Sequence, residues 1–465
     1  QRQMCIRDRR RVLSLAILTV GALVNAHDAT ADEPWRLAEA LGVPEPLSIE
    51  VAHRTRLEHI DGQFRAGNTG EDTLFLFRTL VHARYTPFSW LNFGAELQDS
   101  RVALDEVNSV LNTTFVNAAE LLQAYAELRH EDVLDGSLRV RGGRITLDLG
   151  SRRLLARNRF RNTINSNTGA EIEWSQPNGR SLRALYVLPV NRLPANQSDL
   201  RDNSIRFDKE TSGVQLWSTM WREPLSHDVS AELYVLGLHE SDSVERPTRN
   251  RELYTPGIRF LRTPKAGRFD FELESMLQFG ESRPTSGSVV DLTHVAHSHH
   301  LEIGYTFDLW ATPRLGLEYD YASGDRSATD GQNNRFDPLF GARVFDFGFT
   351  SSYGPFARSN INSPALALEL VPLPKVRTLA RVRSVWLAAK RDAWTTAGVI
   401  DPTGSTDRYV GTQLELRLRW KLWNGNVAID TGLAHLFAGD FIDNAPNSNR
   451  QGDTTYLYSQ VTLSF

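Results

Sequence analysis

Eight arginines fall between positions 139 and 161: Arg139, Arg141, Arg144, Arg152, Arg153, Arg157, Arg159 and Arg161. Few acids lie near them in sequence. A planar guanidinium fork binds a carboxylate through two parallel hydrogen bonds, and a row of such forks can pass a polyanion along. Two further basic groups stand elsewhere. One is Arg377, Arg381, Arg383, Arg417, Arg419 and Lys421; the other is Arg54 and Arg56, with Arg78 and Arg84 beyond them. Acids gather in different stretches: Glu171 and Glu173, then Asp270, Glu272, Glu274, Glu302, Glu318 and Asp320. If the basic and acidic groups face each other across a pore, they set up a transverse field that orients solutes and selects by charge. The competing interpretation is that the arginines pair with the acids and stiffen the protein.

Covalent chemistry finds little support. No Gly-x-Ser-x-Gly elbow and no phosphate-binding loop occur. His294, His297, His299 and His300 lack a strong metal-ligand spacing, and Asp325, Asp330 and Asp337 do not follow a calcium-hand pattern. The single cysteine, Cys5, lies in the leader, which excludes disulfides, thiolate metal sites and a cysteine nucleophile from the rest of the chain. No cofactor and no metal are expected. Net charge is -4, from 52 Lys+Arg and 56 Asp+Glu, so no global field marks a nucleic-acid binder.

The elements that position these charges alternate with a period of two. Phe269, Phe271, Leu273, Leu277 and Phe279 alternate with Arg268, Asp270, Glu272, Glu274 and Gln278. Thr412, Leu414, Leu416, Leu418, Trp420 and Leu422 alternate with Gln413, Glu415, Arg417, Arg419 and Lys421. A strand with one apolar face and one ionisable face suits a membrane barrel with a wet lumen. About eighteen such segments recur between residues 47 and 465. Short connectors containing Pro or Gly alternate with long polar ones, as periplasmic turns alternate with external loops. The last segment, Tyr456 to Phe465, places Leu457, Val461, Leu463 and Phe465 on one face. It ends on an aromatic residue and is expected to close against the segment around Ile49 to Leu57. At Gly142-Gly143 the alternation changes phase. A bulge there would keep Arg139, Arg141 and Arg144 on the lumen side while Ile145, Leu147 and Leu149 point out.

The beginning of the chain fits an exported protein. Residues 1–9 resemble a translated sequencing adapter. Residues 10–31 have arginines, a short apolar run and small-residue exit sites, as expected of a signal peptide cleaved after Ala31. Residues 32–46 form a periplasmic lead, and 47–465 the barrel.

Two stretches resemble the alginate-export porin family. One is Leu317-Glu318-Tyr319-Asp320-Tyr321-Ala322-Ser323-Gly324-Asp325 with the following Asn333-Asn334-Arg335-Phe336-Asp337-Pro338-Leu339-Phe340 and Asn360-Ile361-Asn362. The other runs from Gly143 to Leu154, where Ser151-Arg152 replaces the usual acid and amide. The resemblance implies an eighteen-stranded barrel that passes anionic polysaccharide, typically polyuronate, through an arginine-lined constriction. The expected protein is therefore an all-β transmembrane antiparallel up-and-down barrel, a non-enzymatic, anion-preferring channel of the bacterial outer membrane. Its expected partners are outer-membrane lipid, anionic polysaccharide or small anions, and periplasmic export proteins. Rival readings are a general porin for small organic acids, an outer-membrane hydrolase and a non-conducting structural barrel.

Overall fold

The structure, a computed structural model, describes residues 34–105, 109–242 and 247–465. The signal-peptide reading of residues 10–31 and the adapter reading of residues 1–9 lie outside them. Eighteen long strands follow one another in order. They are β1 (Leu47–Asp61), β2 (Glu71–Phe88), β3 (Leu91–Ala103), β4 (Asn117–Val133), β5 (Gly136–Ile145) and β6 (Asn167–Ser175). Next come β7 (Ser181–Pro189), β8 (Val214–Pro224), β9 (Val229–Glu240), β10 (Glu252–Arg262), β11 (Arg268–Ser282) and β12 (Leu292–Thr306). The last are β13 (Arg314–Ala322), β14 (Ile361–Leu373), β15 (Val376–Trp386), β16 (Tyr409–Leu422), β17 (Val427–Ala438) and β18 (Thr454–Ser464). Each pairs antiparallel with its sequence neighbours, and β18 closes on β1 in a register that runs from Ala52↔Ser464 to Asp61↔Thr455. Closure leaves no strand edge, which lipid would not tolerate. No helix among the described residues is long and apolar enough to cross a membrane.

Alternation sets the two faces. On β11, Phe269, Leu273, Leu277 and Phe279 are exposed outward, while Asp270, Glu274 and Gln278 are buried within. Aromatic rings collect where the short turns lie: Phe88 stacks on Trp90, Trp174 on Trp221, and Phe269 meets Tyr305 edge-on. Such a ring belt marks the membrane–water boundary. At the seam, Phe465 and Val51 exchange backbone hydrogen bonds at 2.8 and 2.9 Å. The Trp35 ring packs edge-on against Phe465 at 5.1 Å. The Asn426 side chain binds both the amide and the carbonyl of Trp35 at 2.7 Å.

The glycine pair departs from expectation. Register runs unbroken through it, with Gly142 opposite Ala126 and Gly143 opposite Tyr125 on one side, and opposite Ala170 and Gly169 on the other. There is no bulge. Gly143 has φ +128°, and a Cβ there would collide with the Ala124 carbonyl, so glycine is required for backbone fit rather than for an extra residue. Arg144 therefore shares a face with Ala124 and Thr168, opposite to Arg139 and Arg141. Ile145, Leu147 and Leu149 turn inward instead of toward lipid.

That turn begins a plug. Residues 146–166 and 334–360, the loops after β5 and β13, fold into the lumen and pair with each other. Phe340 N donates to Leu154 O at 2.9 Å, Ala156 N to Phe340 O at 3.2 Å and Ala342 N to Arg152 O at 2.9 Å. Phe160, Phe336, Phe347, Phe349, Tyr353 and Phe356 form a dry core with wall residues such as Val187, Tyr456 and Tyr458. Phe349 meets Tyr458 at 4.7 Å and Tyr353 stacks on Tyr456 at 5.1 Å. An apolar core inside a barrel forms because the loops bring their own aromatic side chains to wall positions that are themselves aromatic or aliphatic.

Candidate functional site

Beneath the plug, on the β1–β7 side, lies a cavity of about 450 Å³. Its wall carries Arg78, Arg84, Arg141, Arg157, Arg159 and Arg183, against the carboxylates Glu50, Glu96 and Asp148. Glu50 and Arg84 are exposed, so the cavity opens toward the end with the short turns. A second cavity of about 390 Å³ adjoins it, shares Glu50, Leu80, His82 and Glu96, and reaches Trp35 and Phe465.

Each cation is held by the strand or loop that bears it. Arg141, on the inner face of β5, meets Glu171 at 2.6 Å and lies 5.2 Å from the Tyr125 ring centroid. Glu171 also binds Arg139 at 3.2 Å and Arg183 at 2.6 Å, so three guanidiniums share one carboxylate. Arg139 reaches Glu173 and Glu127 as well. Arg157 crosses from the plug to Glu96, donating to both its oxygens at 2.6 and 2.8 Å, and to Thr146 Oγ1 at 2.7 Å. Arg159 is exposed on the cavity wall. It makes no ion pair with any described residue. Buried Nε atoms of Arg141 and Arg157 find no acceptor among the described residues. Arg161 lies deeper in the plug, where burial and the nearby Arg343 and Arg192 depress its guanidinium. The region is rich in guanidinium groups whose hydrogen-bonding capacity the described residues leave partly unused.

Other arginines take different places. Arg144, on the opposite face, binds Glu120 at 2.6 Å and Glu210 at 2.7 Å and so fastens the loop before β8. Arg54 and Arg56 of β1 hold the plug. Arg56 binds Glu58 at 3.0 Å, donates to the Phe160 carbonyl at 2.7 Å and stacks over the Phe160 ring at 4.2 Å. Arg152 is exposed and lies over Phe345 at 4.8 Å. Arg377, Arg419 and Lys421 are exposed on the inner faces of β15 and β16 near the short-turn end, with Arg377 directly opposite Arg419. None of the three forms an ion pair with a described residue. Arg417 pairs with Asp430 at 2.6 Å.

The acids do not form a wall of their own. Arginines interleave with them. Arg153 descends from the plug to Glu272, to Glu274 at 2.6 Å and to Asp346 at 2.9 Å. Arg383 binds Glu318 at 2.5 Å and Asp320 at 2.9 Å, and Arg381 binds Glu318 at 3.1 Å. Arg314 joins Asp270, Glu302 at 2.6 Å and Glu369 at 3.0 Å. The expected opposition of basic and acidic walls is thus replaced by an interleaved ion-pair network on the β11–β16 side, with Arg377, Arg419 and Lys421 outside it near the short turns, and a basic cavity on the β1–β7 side. His300, Asp320 and Asp346 come close enough to share an ion. Arg153, Arg358 and Arg383 already occupy their oxygens, however, and cations at those positions oppose a metal.

Several contributors escaped sequence reasoning. Glu96 and Arg183 sit on the inner faces of β3 and β7, where alternation could have found them. Asp346 and Arg358 belong to a loop whose inward path carries no periodic signal.

The alginate-export family profile matches residues 45–454. Solved outer-membrane proteins of Pseudomonas aeruginosa share the fold. OpdG aligns with 13% identity and TM-score 0.57, covering 90% of this chain and 98% of its own. OpdK solved with vanillate aligns with 12% identity and TM-score 0.55 over 90% and 99%, and OprD with 14% identity and TM-score 0.52 over 94% and 99%. No curated protein sequence matches. Closed barrel, lumen-facing charges and family profile agree: the chain is an outer-membrane channel protein that belongs to the alginate-export family.

Proposed function

We propose that the channel prefers anions and passes acidic oligo- or polysaccharide of the polyuronate type, with Arg78, Arg84, Arg141, Arg157 and Arg159 taking the sugar carboxylates in turn. The observation that carries this reading is the cavity itself, where six arginines face three carboxylates. Unpaired Arg377, Arg419 and Lys421 extend the positive surface toward the short-turn end and would concentrate anions at the mouth. Arg139 and Arg183 act as positioning residues through Glu171. Export from the periplasm accords with a cavity that opens on that side while the plug covers the other.

A second reading, a porin for small organic acids, draws on the cavity's modest volume and on the vanillate of the OpdK structure. Planar-bilayer conductance separates the two. Polyuronate fragments should block the purified channel more strongly as their length grows. If long fragments leave the current untouched while small carboxylates permeate, the polysaccharide reading fails and the porin reading takes its place.

A further inference from the structure

The plug segment Arg157–Arg161 is fastened to the barrel wall by an uncommon contact. Arg54 Nη1 donates to the carbonyl oxygens of Arg159 at 3.2 Å and Phe160 at 3.1 Å, and its Nη2 to that of Arg161 at 2.9 Å. Arg78 Nη1 donates to the same Arg159 and Arg161 carbonyls at 3.0 and 2.8 Å. Both side chains are buried, and among the described residues neither has a carboxylate within ion-pair distance. Arg54 Nε has no acceptor there at all. Buried guanidiniums ordinarily find carboxylates. These two meet only neutral oxygens, on a segment that is itself triply cationic. Arg78 also lines the cavity.

We propose that Arg54 and Arg78 form a carboxylate-exchange latch, in which an anion entering the cavity takes the Arg78 fork from the plug carbonyls and loosens the backbone at Arg159 and Arg161 from the wall, while Arg56 keeps the Phe160 carbonyl at 2.7 Å. The inference rests on the reading of the cavity as the place where acidic saccharide binds. A charge-assisted bond to a carboxylate is roughly twice as strong as one to a neutral carbonyl, and bidentate geometry adds to it. The arriving anion also relieves repulsion among five neighbouring arginines. The ends of the moving piece are fixed. Arg157 stays on Glu96, and the Asn162 amide donates to the carbonyls of Phe77, Arg101 and Phe115 at 3.2, 3.2 and 2.7 Å. Arg56, paired with Glu58, stays with the Phe160 ring. The neutral clasp is therefore the weakest link, and an anion reaches it at Arg78, which lines the cavity, while Arg54 lies buried behind it and also donates to Asn162 Oδ1 at 3.0 Å.

Hydrogen–deuterium exchange of the Asn158–Arg161 amides tests the latch on the full chain in detergent. A saturating uronate trisaccharide should accelerate exchange roughly tenfold, the factor for loss of about 1.4 kcal/mol of local stability, whereas simple binding would slow it. The double variant Arg54→Met/Arg78→Met should exchange fast without sugar and respond no further. If that variant fails to fold, Arg54→Lys/Arg78→Lys keeps the charges but loses the forks, and should also exchange faster than the native chain. Citrate serves as a small carboxylate, and chloride at equal ionic strength as control. Uronate that blocks conductance yet leaves exchange unchanged or slower overturns the latch and spares the proposed function. Acceleration by citrate, with uronate neither blocking nor accelerating, keeps the latch and removes the polyuronate reading. Native exchange rates in both double variants also overturn it.

Discussion

Arg141→Ser should weaken anion preference while the barrel stays folded, and Arg144→Ser should leave that preference alone. Six arginines and three carboxylates line the cavity, and Glu171 behind Arg141 and Arg183 offsets one more charge, which leaves a surplus of two. One unit charge about 8 Å from a permeating ion contributes about 0.5 kcal/mol in water-like surroundings. The sign reverses between anion and cation, so losing one arginine should lower the anion-to-cation permeability ratio by about fivefold at low salt. Folding is spared because Glu171 keeps Arg139 at 3.2 Å and Arg183 at 2.6 Å when Arg141 is gone. Arg144 lies on the other face of β5 with its charge spent on Glu120 and Glu210. The assay is the reversal potential across a planar bilayer in a salt gradient. Near 1 M salt, where screening acts over about 3 Å, the Arg141→Ser effect should fade. Equal shifts for the two variants, or none for Arg141→Ser, would refute the assignment of the cavity as the selective region.

Two further outcomes follow from the same geometry. Arg153→Met should cost about 3 kcal/mol in urea unfolding, because buried Glu274 loses its one ion-pair partner among the described residues, while Glu272 keeps Arg259 at 3.1 Å and Asp346 keeps Arg358. A loss below about 1 kcal/mol would place the Arg153 pairs with ordinary surface ion pairs instead. Burial, with Glu120 adding to it, pushes the Asp208 carboxyl up to about 7, although Leu193 N and Asn117 donate to it. Its proton therefore favours the docked form of the loop between β7 and β8. That contribution is complete below the unfolded value near 4 and is lost as pH rises through about 7. Protection of the residue 190–210 amides, measured as intrinsic over observed exchange rate at each pH, should fall across that window in the native chain and stay level in Asp208→Asn; a native chain with no step in protection would contradict this.

Strand order and strand number could be read from the sequence because lipid on one side and charge on the other impose a strict period of two, as on β11 and β16. The closing pair was legible for the same reason. The lumen was not. Ile145, Leu147 and Leu149 continue an alternating pattern, and only the three-dimensional path shows that they face Val187 and the plug rather than lipid. Gly142-Gly143 looked like a bulge because a change of phase along one strand has two causes, an added residue or a chain that leaves the sheet, and sequence alone does not separate them. The arginines from 139 to 161 seemed poor in partners because their carboxylates come from distant strands. Glu96 is 61 residues from Arg157, and Glu274 is 121 from Arg153. Ion pairing across a barrel has no local signature.

The ladder between residues 152–156 and 340–342 has a mechanical side as well. Its two loops spring from β5/β6 and β13/β14, nearly opposite points on a ring of eighteen strands. A closed sheet of this width is a hoop that lateral pressure can flatten into an ellipse without breaking a single strand pair. The joined loops act as a spoke across the hoop. Ovalisation along the spoke would have to buckle it, and ovalisation across it would have to pull the ladder apart. The joined loops thereby brace the bore under the plug against a change of width.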